Sequence, residues 1–318
     1  MEIRGIIVHP EELTVSWLDR MAEAHLNTLG LHPVGGRRAP LTLQAAIEAF
    51  DTPESKCLRE EAEKRGISVE YEAHALGWLM PREEFGAHPD WFRMNAEGER
   101  VNDFNCCPGN PEALEYLSER CCRLARLLDT GTDRYFFWPD DIAGGGCSCP
   151  ECRNLSAGDQ QLRLVNAMLR GLKRYRPTAT LSYLAYHDSL MVPTQTEPEE
   201  GVFLEYAPFN RDHGVPMSDG KSEKNAKETA CLPALLEFFG KKHSRVLEYW
   251  TDNSKFSNWT KPPKAFKLDE KVMEQDAAYY KSLGFEEITA FGCYLGPDYD
   301  ELYGEVSLKR YGEILEKA

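Results

Sequence analysis

The sequence predicts an α/β protein, a single (β/α)8 TIM barrel occupying residues 1–318 as one domain. Three observations carry that expectation. Short β-branched or aromatic runs alternate with helical patterns throughout, the signature of βα units around a parallel sheet. The alternation repeats eight times, and such barrels run to about 250 residues. No low-complexity linker interrupts the 318 residues, so one domain suffices.

The eight expected strands are 4–10 (RGIIVHP), 28–35 (TLGLHPVG), 67–75 (ISVEYEAHA), 134–141 (RYFFWPDD), 179–188 (ATLSYLAYHD), 202–211 (VFLEYAPFNR), 245–253 (RVLEYWTDN) and 287–296 (EITAFGCYLG). Between them, apolar residues recur three or four apart. Leu114, Leu117, Cys121, Leu124 and Leu128 form one stripe, and Leu162, Val165, Leu169 and Leu172 another. Cys121 therefore reads as a core residue. Gly66 and Gly284 are helix-stop glycines leading into strands. The least regular stretches, 76–111 and 212–231, follow the third and sixth strands, where barrel insertions build substrate sites.

A formal net charge of -15 and the lack of a basic run argue against a surface that tracks nucleic-acid phosphates; neutral or cationic ligands fit better. No apolar stretch approaches the roughly 18 residues that span a bilayer. The N-terminal MEIRGIIVHP has neither a basic segment nor a small-residue cleavage site, so a cytoplasmic location is expected and membrane partners are not. Ten cysteines are many for that compartment, and the vicinal pairs Cys106-Cys107 and Cys121-Cys122 suit disulfides poorly. Thiolate metal binding is the better explanation for some of them.

In a barrel, polar residues at the C-terminal ends of the strands converge. Those ends hold His9, His32, His74, Asp140, Asp141, His187, Asp188, Arg211, Glu248, Asp252 and Tyr294, with Trp78, Trp138, Tyr186, Phe209 and Trp250 among them. Carboxylates, histidines and broad aromatic faces together suit a carbohydrate, which offers hydroxyls at its edges and C–H bonds on its faces. Hydrolysis of a glycosidic bond needs one carboxyl to protonate the leaving oxygen and a second to attack or activate water. Asp140 and Asp141 on the fourth strand and Glu248 on the seventh are the candidates; alternatively Glu248 points into the barrel and pairs with Arg245 or a neighbouring lysine. The triplet Cys147, Cys149 and Cys152 supplies three thiolates over six residues, and Cys106 or Cys107 supplies a fourth. Four thiolates leave no open coordination position, so the expected zinc is structural. No organic cofactor is expected.

The segment HPDWFRMNAEGERVNDFNCCPGNPEALEYL (88–117), followed by RYFFWPDDIAGGGCSCPEC, resembles a bacterial family grouped with glycoside hydrolases, the domain of unknown function 4838. That family carries a His-Pro phrase, a Cys-x-x-Asn-Pro and a Cys-x-Cys-x-x-Cys in this order. LEYAPFNRD (204–212) and VLEYWTDNSKF (246–256) are similar to its later motifs, the second usually reading Trp-Asp-Tyr-Thr-Thr-Asn. The resemblance covers roughly 25–260 and implies Cys107 as the fourth ligand, with Glu248 at or beside the family's aspartate. A more distant similarity to family 42 β-galactosidases places Asp141 at the acid/base position, followed by a zinc clamp, with a nucleophile on the seventh strand.

The leading expectation is a retaining glycoside hydrolase acting on β-linked glycans. Asp141 is its acid/base and Glu248 its nucleophile; Trp138 and Trp250 are sugar platforms, and His9, His32, His74, His187, Arg211 and Tyr294 bind substrate. A variant uses the acetamido oxygen of an N-acetylhexosamine as nucleophile, with Asp140 orienting the amide. A non-catalytic carbohydrate-binding barrel is the second class. A catalytic metal on His9, His32, His74 and Asp141 ranks last, because VHPEE lacks the His-x-His spacing of such barrels.

Overall fold

The computed structural model describes residues 1–318. Strands β1 (Ile3–Val8), β2 (Thr28–Leu31), β3 (Ser68–His74), β4 (Arg134–Trp138), β5 (Thr180–Ala185), β6 (Val202–Tyr206), β7 (Arg245–Glu248) and β8 (Glu287–Phe291) follow one another around a closed parallel barrel. β1 closes the ring, with Ile6 opposite both Leu29 of β2 and Ala290 of β8. The (β/α)8 barrel expected from the sequence is therefore the fold. Each expected strand falls on an observed one, but most of the observed strands end several residues earlier than their sequence pattern predicts. The seventh was expected to reach Asn253 and stops at Glu248. There Tyr249 accepts from the Asp252 N–H, and the Asp252 side chain caps the short helix Asn253–Phe256. Aromatic residues with high strand propensity are thus used in a turn.

The chain forms two compact units. The first comprises Met1–His32, Asp51–Glu70 and Glu205–Ala318. Ile6, Ile7 and Val8 of β1 are buried on successive residues, because parallel strands are covered on both faces. Arg245, fully buried, is neutralised by Glu70 at 2.7 Å. The C-terminal helix Lys309–Lys317 locks onto the start of the chain. Tyr311 donates to the Gly5 carbonyl at 2.7 Å, and the Met1 ammonium donates to Leu315 O at 3.0 Å.

The second unit, Pro33–Phe50 with Tyr71–Leu204, carries β4 and β5 with the helices Pro111–Leu127 and Ala157–Tyr175. Asn110 caps the first helix, accepting from Glu112 N and Ala113 N, and Pro111 fits its first turn. Ser156 and Asp159 form a capping box on the second. Leu162, Val165, Leu169 and Leu172 are all fully buried, as their spacing predicts, and each such leucine or valine contributes about 1.5–3 kcal/mol. Cys121 is buried in the core as expected. The two helices touch at Gly171, where a Cβ would stand 2.0 Å from the Ser118 carbonyl oxygen, so only glycine permits this approach. Together they fix the segments that leave β4. No helix of the chain is long and apolar enough to cross a membrane.

Candidate active site and cysteine clamp

Past Trp138 the chain turns sharply, with Ile142 N donating to Asp140 O at 2.9 Å. The turn sends the two aspartates to different partners. Asp141 keeps a side chain 32% exposed; its Oδ1 accepts from the Tyr186 hydroxyl at 3.1 Å and lies 3.8 Å from His74 Nε2. His74 Nδ1 lies 2.7 Å from the Pro139 carbonyl, which can only accept, so Nδ1 carries the proton and Nε2 is turned toward Asp141. A carboxyl that is solvent-accessible yet oriented by a phenol and an imidazole is equipped to hold and deliver a proton. Beside it lies a cavity of about 80 Å³ lined by His74, Asn105, Asp140, Gln161, Tyr186 and Asp188 among others.

Asp140 is committed elsewhere. Its Oδ2 pairs with Arg82 and accepts from Asn105 N at 2.6 Å. Asn105 Oδ1 in return accepts from Asp140 N at 3.0 Å, and its amide donates to Gly145 O at 3.1 Å. Asn105 holds a left-handed φ of 49°, which lets one side chain serve both loops. Gly145 must be glycine, since a Cβ would fall 2.6 Å from Asn105 Nδ2. Asp140 is thus a brace for the turn that presents Asp141. The Asp140 carboxylate, expected to orient a substrate amide, is here held by a guanidinium and a backbone amide.

The back half of the same loop meets the 76–111 segment again. Cys107, Cys147, Cys149 and Cys152 are buried together, their sulfurs all within 4.8 Å of one another. Cys107 Sγ lies 3.6 Å from Cys147 and from Cys149 and 3.9 Å from Cys152. A tetrahedral metal with sulfur bonds of about 2.3 Å has sulfur–sulfur edges of about 3.8 Å, so the four thiols can hold a metal ion. Met94 N donates to Cys147 Sγ at 3.3 Å, the contact expected by a thiolate. Gln160 closes the loop from outside, accepting from Cys147 N at 2.7 Å and donating to the Cys147 and Cys152 carbonyls. Gly109 lies so close that a Cβ would meet Cys152 Sγ at 2.8 Å. Cys106 lies outside the cluster and lines the cavity beside Asp141, and burial pushes its thiol pKa up.

Other expected site residues lie elsewhere. Glu248 is fully buried; its Oε1 accepts from Arg211 and from the Tyr280 hydroxyl, each at 2.5 Å, and its Oε2 accepts from Tyr249 N. Its partner is therefore Arg211 and not Arg245. Arg211 also reaches Asp276 at 2.7 Å, whose pKa burial and the Glu248 charge raise. Trp250 donates to the same Asp276 at 2.9 Å. Arg211, Glu248 and Trp250, expected at the substrate site, thus form a buried network against the helix Glu270–Leu283. Trp138 is 1% exposed and donates to Ser182 Oγ at 3.2 Å; it floors His74 and presents no face to a sugar. His9, His32 and Tyr294 do come together. His9 Nδ1 contacts His32 O at 2.7 Å, and the His9 ring lies 6.1 Å from that of Tyr294. His187, half-buried at φ 49°, rests on Tyr186 with ring centroids 3.9 Å apart.

Arg82, Asn105 and Gln160 were not anticipated, nor was the hydroxyl role of Tyr186. Arg82 and Asn105 lie 58 and 35 residues before Asp140, and no local pattern marks such partners. The Cys-Cys-Pro-Gly-Asn-Pro phrase directly after Asn105 was the available signal.

The end of β4 thus carries a 32% exposed, oriented carboxylate, and four buried thiols gather further along the same loop. The chain matches the family described as a domain of unknown function, DUF4838, over residues 46–289, and it belongs to that family. A search of curated proteins gives no match. Among solved structures, a β-galactosidase from Rahnella sp. R3 superposes with a TM-score of 0.53 at 13% identity, over 99% of this chain and 55% of that one. Gan42B, a GH42 β-galactosidase, gives 0.56 at 13% over 99% and 55%. An O-GlcNAc hydrolase from Thermobaculum terrenum gives 0.56 at 13% over 99% and 59%. The chain spans little more than half the length of these proteins, and the likeness is one of fold.

Proposed function

We propose that the protein is a glycoside hydrolase acting on β-linked glycans, with Asp141 as the general acid. The observation that supports this reading is the setting of Asp141, 32% exposed at the end of β4 with Tyr186 at 3.1 Å and His74 at 3.8 Å from one carboxyl oxygen. In the reaction Asp141 gives its proton to the glycosidic oxygen as the bond to the anomeric carbon breaks, and the resulting carboxylate is stabilised by the Tyr186 phenol. Arg82 and Asn105 hold Asp140 and so fix the turn on which Asp141 stands.

Glu248 is not the nucleophile in this reading, because none of its side chain is exposed and both oxygens are occupied. That favours the mechanism in which the substrate supplies the nucleophile, its 2-acetamido oxygen closing on the anomeric carbon before water opens the cyclic intermediate with net retention. The four cysteines fit a structural zinc, which would tie the loop carrying Asp141 to the segment around Cys107 and leave no position for water. The same enclosure of Glu248 favours a second reading, a carbohydrate-binding barrel without turnover.

A panel of aryl β-glycosides with and without a 2-acetamido group separates these readings. Hydrolysis of the N-acetylhexosaminide, blocked by a thiazoline mimic of the cyclised intermediate, is the expected result. Equal hydrolysis of sugars lacking the acetamido group overturns the substrate-assisted step. Glycan binding without turnover of any member overturns the enzyme reading in favour of the binding barrel.

A further inference from the structure

The two tryptophans expected to stack on sugar are buried, yet the loop after β7 exposes another. Trp259 is 58% exposed, the most exposed of the large aromatic side chains. It is held there against local preference: Asn258 and Trp259 both lie in the left-handed region, at φ 54° and 52°, which bulky residues rarely adopt. The surrounding loop over-determines this conformation. Trp259 N donates to Ser254 O at 2.7 Å, Asn258 N to Lys255 O at 3.0 Å and Thr260 Oγ1 to Ser257 O at 2.6 Å. Lys264 N donates to the buried Ser257 Oγ at 2.9 Å, and Lys264 O accepts from Asn253 at 2.9 Å, which binds the far end of the loop to the same turn. Strained backbone of this kind clusters at functional sites, and an apolar ring fixed in water is the usual form of a sugar-stacking platform. Phe209 extends the surface, with its ring 6.4 Å from Trp259 and tilted by 31°.

The charge of this loop opposes that of the whole chain. From Asn253 to Leu268 there are four lysines, Lys255, Lys261, Lys264 and Lys267, and no aspartate or glutamate, in a protein of net charge -15. Lys255 lies 3.5 Å from the Phe209 ring centroid, and Lys261 pairs with Asp298 at 2.7 Å. Lys264 and Lys267 are exposed.

We infer that Trp259 and the lysines that follow it form a binding platform for acidic glycans, Trp259 stacking on the pyranose face while Lys264 and Lys267 read a carboxylate or sulfate on the ring. The inference rests on the carbohydrate reading above and adds the charge class of the ligand. Whole-chain charge disfavours such ligands at long range, but screening beyond about 8–10 Å leaves the local cations to decide contact.

Calorimetric titration of the Asp141→Asn protein tests it with three probes of equal length: a uronic-acid oligosaccharide, a sulfated oligosaccharide and their neutral counterpart. At least one acidic probe is expected to bind about tenfold tighter than the neutral one, less so as salt rises. Which of the two acidic probes binds identifies the anion. Trp259→Ala should weaken binding about tenfold, and Trp259→Phe should restore most of it. The double variant Lys264→Ala/Lys267→Ala should bring the acidic probe to the level of the neutral one. Equal affinity for acidic and neutral probes, no binding of any probe, or indifference to Trp259→Ala overturns the inference. Turnover by the wild type is scored separately, so a protein that binds acidic glycans without hydrolysing them refutes the hydrolase reading alone. One that hydrolyses without the acidic preference refutes this inference alone.

Discussion

At the scale of single residues, the two adjacent aspartates have separate duties because Arg82 captures one of them. Tyr186 donates to Asp141 Oδ1 at 3.1 Å, a contact that would stabilise the carboxylate left by the proposed proton transfer. Tyr186→Phe should therefore lower kcat on the N-acetylhexosaminide several-fold with little change in KM, and a kcat unchanged within error contradicts the role. His213 gives a residue-scale test of stability. Burial, with Lys255 and Arg211 nearby, depresses its pKa from 6.5 to about 3. Between those values the unfolded chain binds the proton and the folded chain does not, so stability falls as pH falls through that window. The slope from this one group approaches about 1.4 kcal/mol per pH unit. Denaturant midpoints measured near neutral pH and at about pH 4.5 should converge for His213→Phe relative to wild type; identical pH dependence in both contradicts the assignment.

At the scale of elements, the loop that leaves β4 is a brace at each end: Asn105 and Arg82 hold its first turn, and the four thiols with Gln160 hold its last. A closed thiolate site contributes binding free energy directly to folding. Cys149→Ser is expected to release the metal and to lower Tm by several degrees; activity should fall with it, although Cys149 lies outside the 80 Å³ cavity. Elemental analysis of the purified protein checks the premise. About one zinc per chain is predicted, and less than about 0.2 in protein with reduced cysteines contradicts the clamp. Gly109→Ala should mimic the cysteine variant, since its methyl would overlap Cys152 Sγ.

At the scale of the molecule, the eight strands were legible because Val, Ile, Tyr and Phe cluster where β1 to β8 run, and the stripe Leu162 to Leu172 announced its helix by spacing alone. The cysteine cluster was legible too, because Cys147, Cys149 and Cys152 are close in sequence. What stayed hidden was the direction each side chain takes once its strand has ended. Trp138, Trp250 and Glu248 lie at or just past strand ends, where one residue of register separates the cavity from the core, and the sequence does not mark which way they turn. Glu248 illustrates the consequence: it is a member of a buried charge network with Arg211 and Asp276. Removing one partner of such a network costs about 3–5 kcal/mol. Glu248→Gln should therefore lower the denaturation midpoint while the folded fraction keeps its specific activity. Complete loss of activity in a protein of wild-type stability would return Glu248 to the nucleophile role.

If Asp141 protonates the leaving oxygen, as proposed, the rate lost without it must depend on the leaving group. A phenyl leaving group needs that proton and a dinitrophenyl group does not. Comparing kcat/KM of Asp141→Asn with wild type on the two aryl N-acetylhexosaminides isolates the step. Asp141→Asn should lose about 10²–10⁴-fold on the phenyl substrate and much less on the dinitrophenyl substrate. Equal losses on both, or no loss on either, would contradict it.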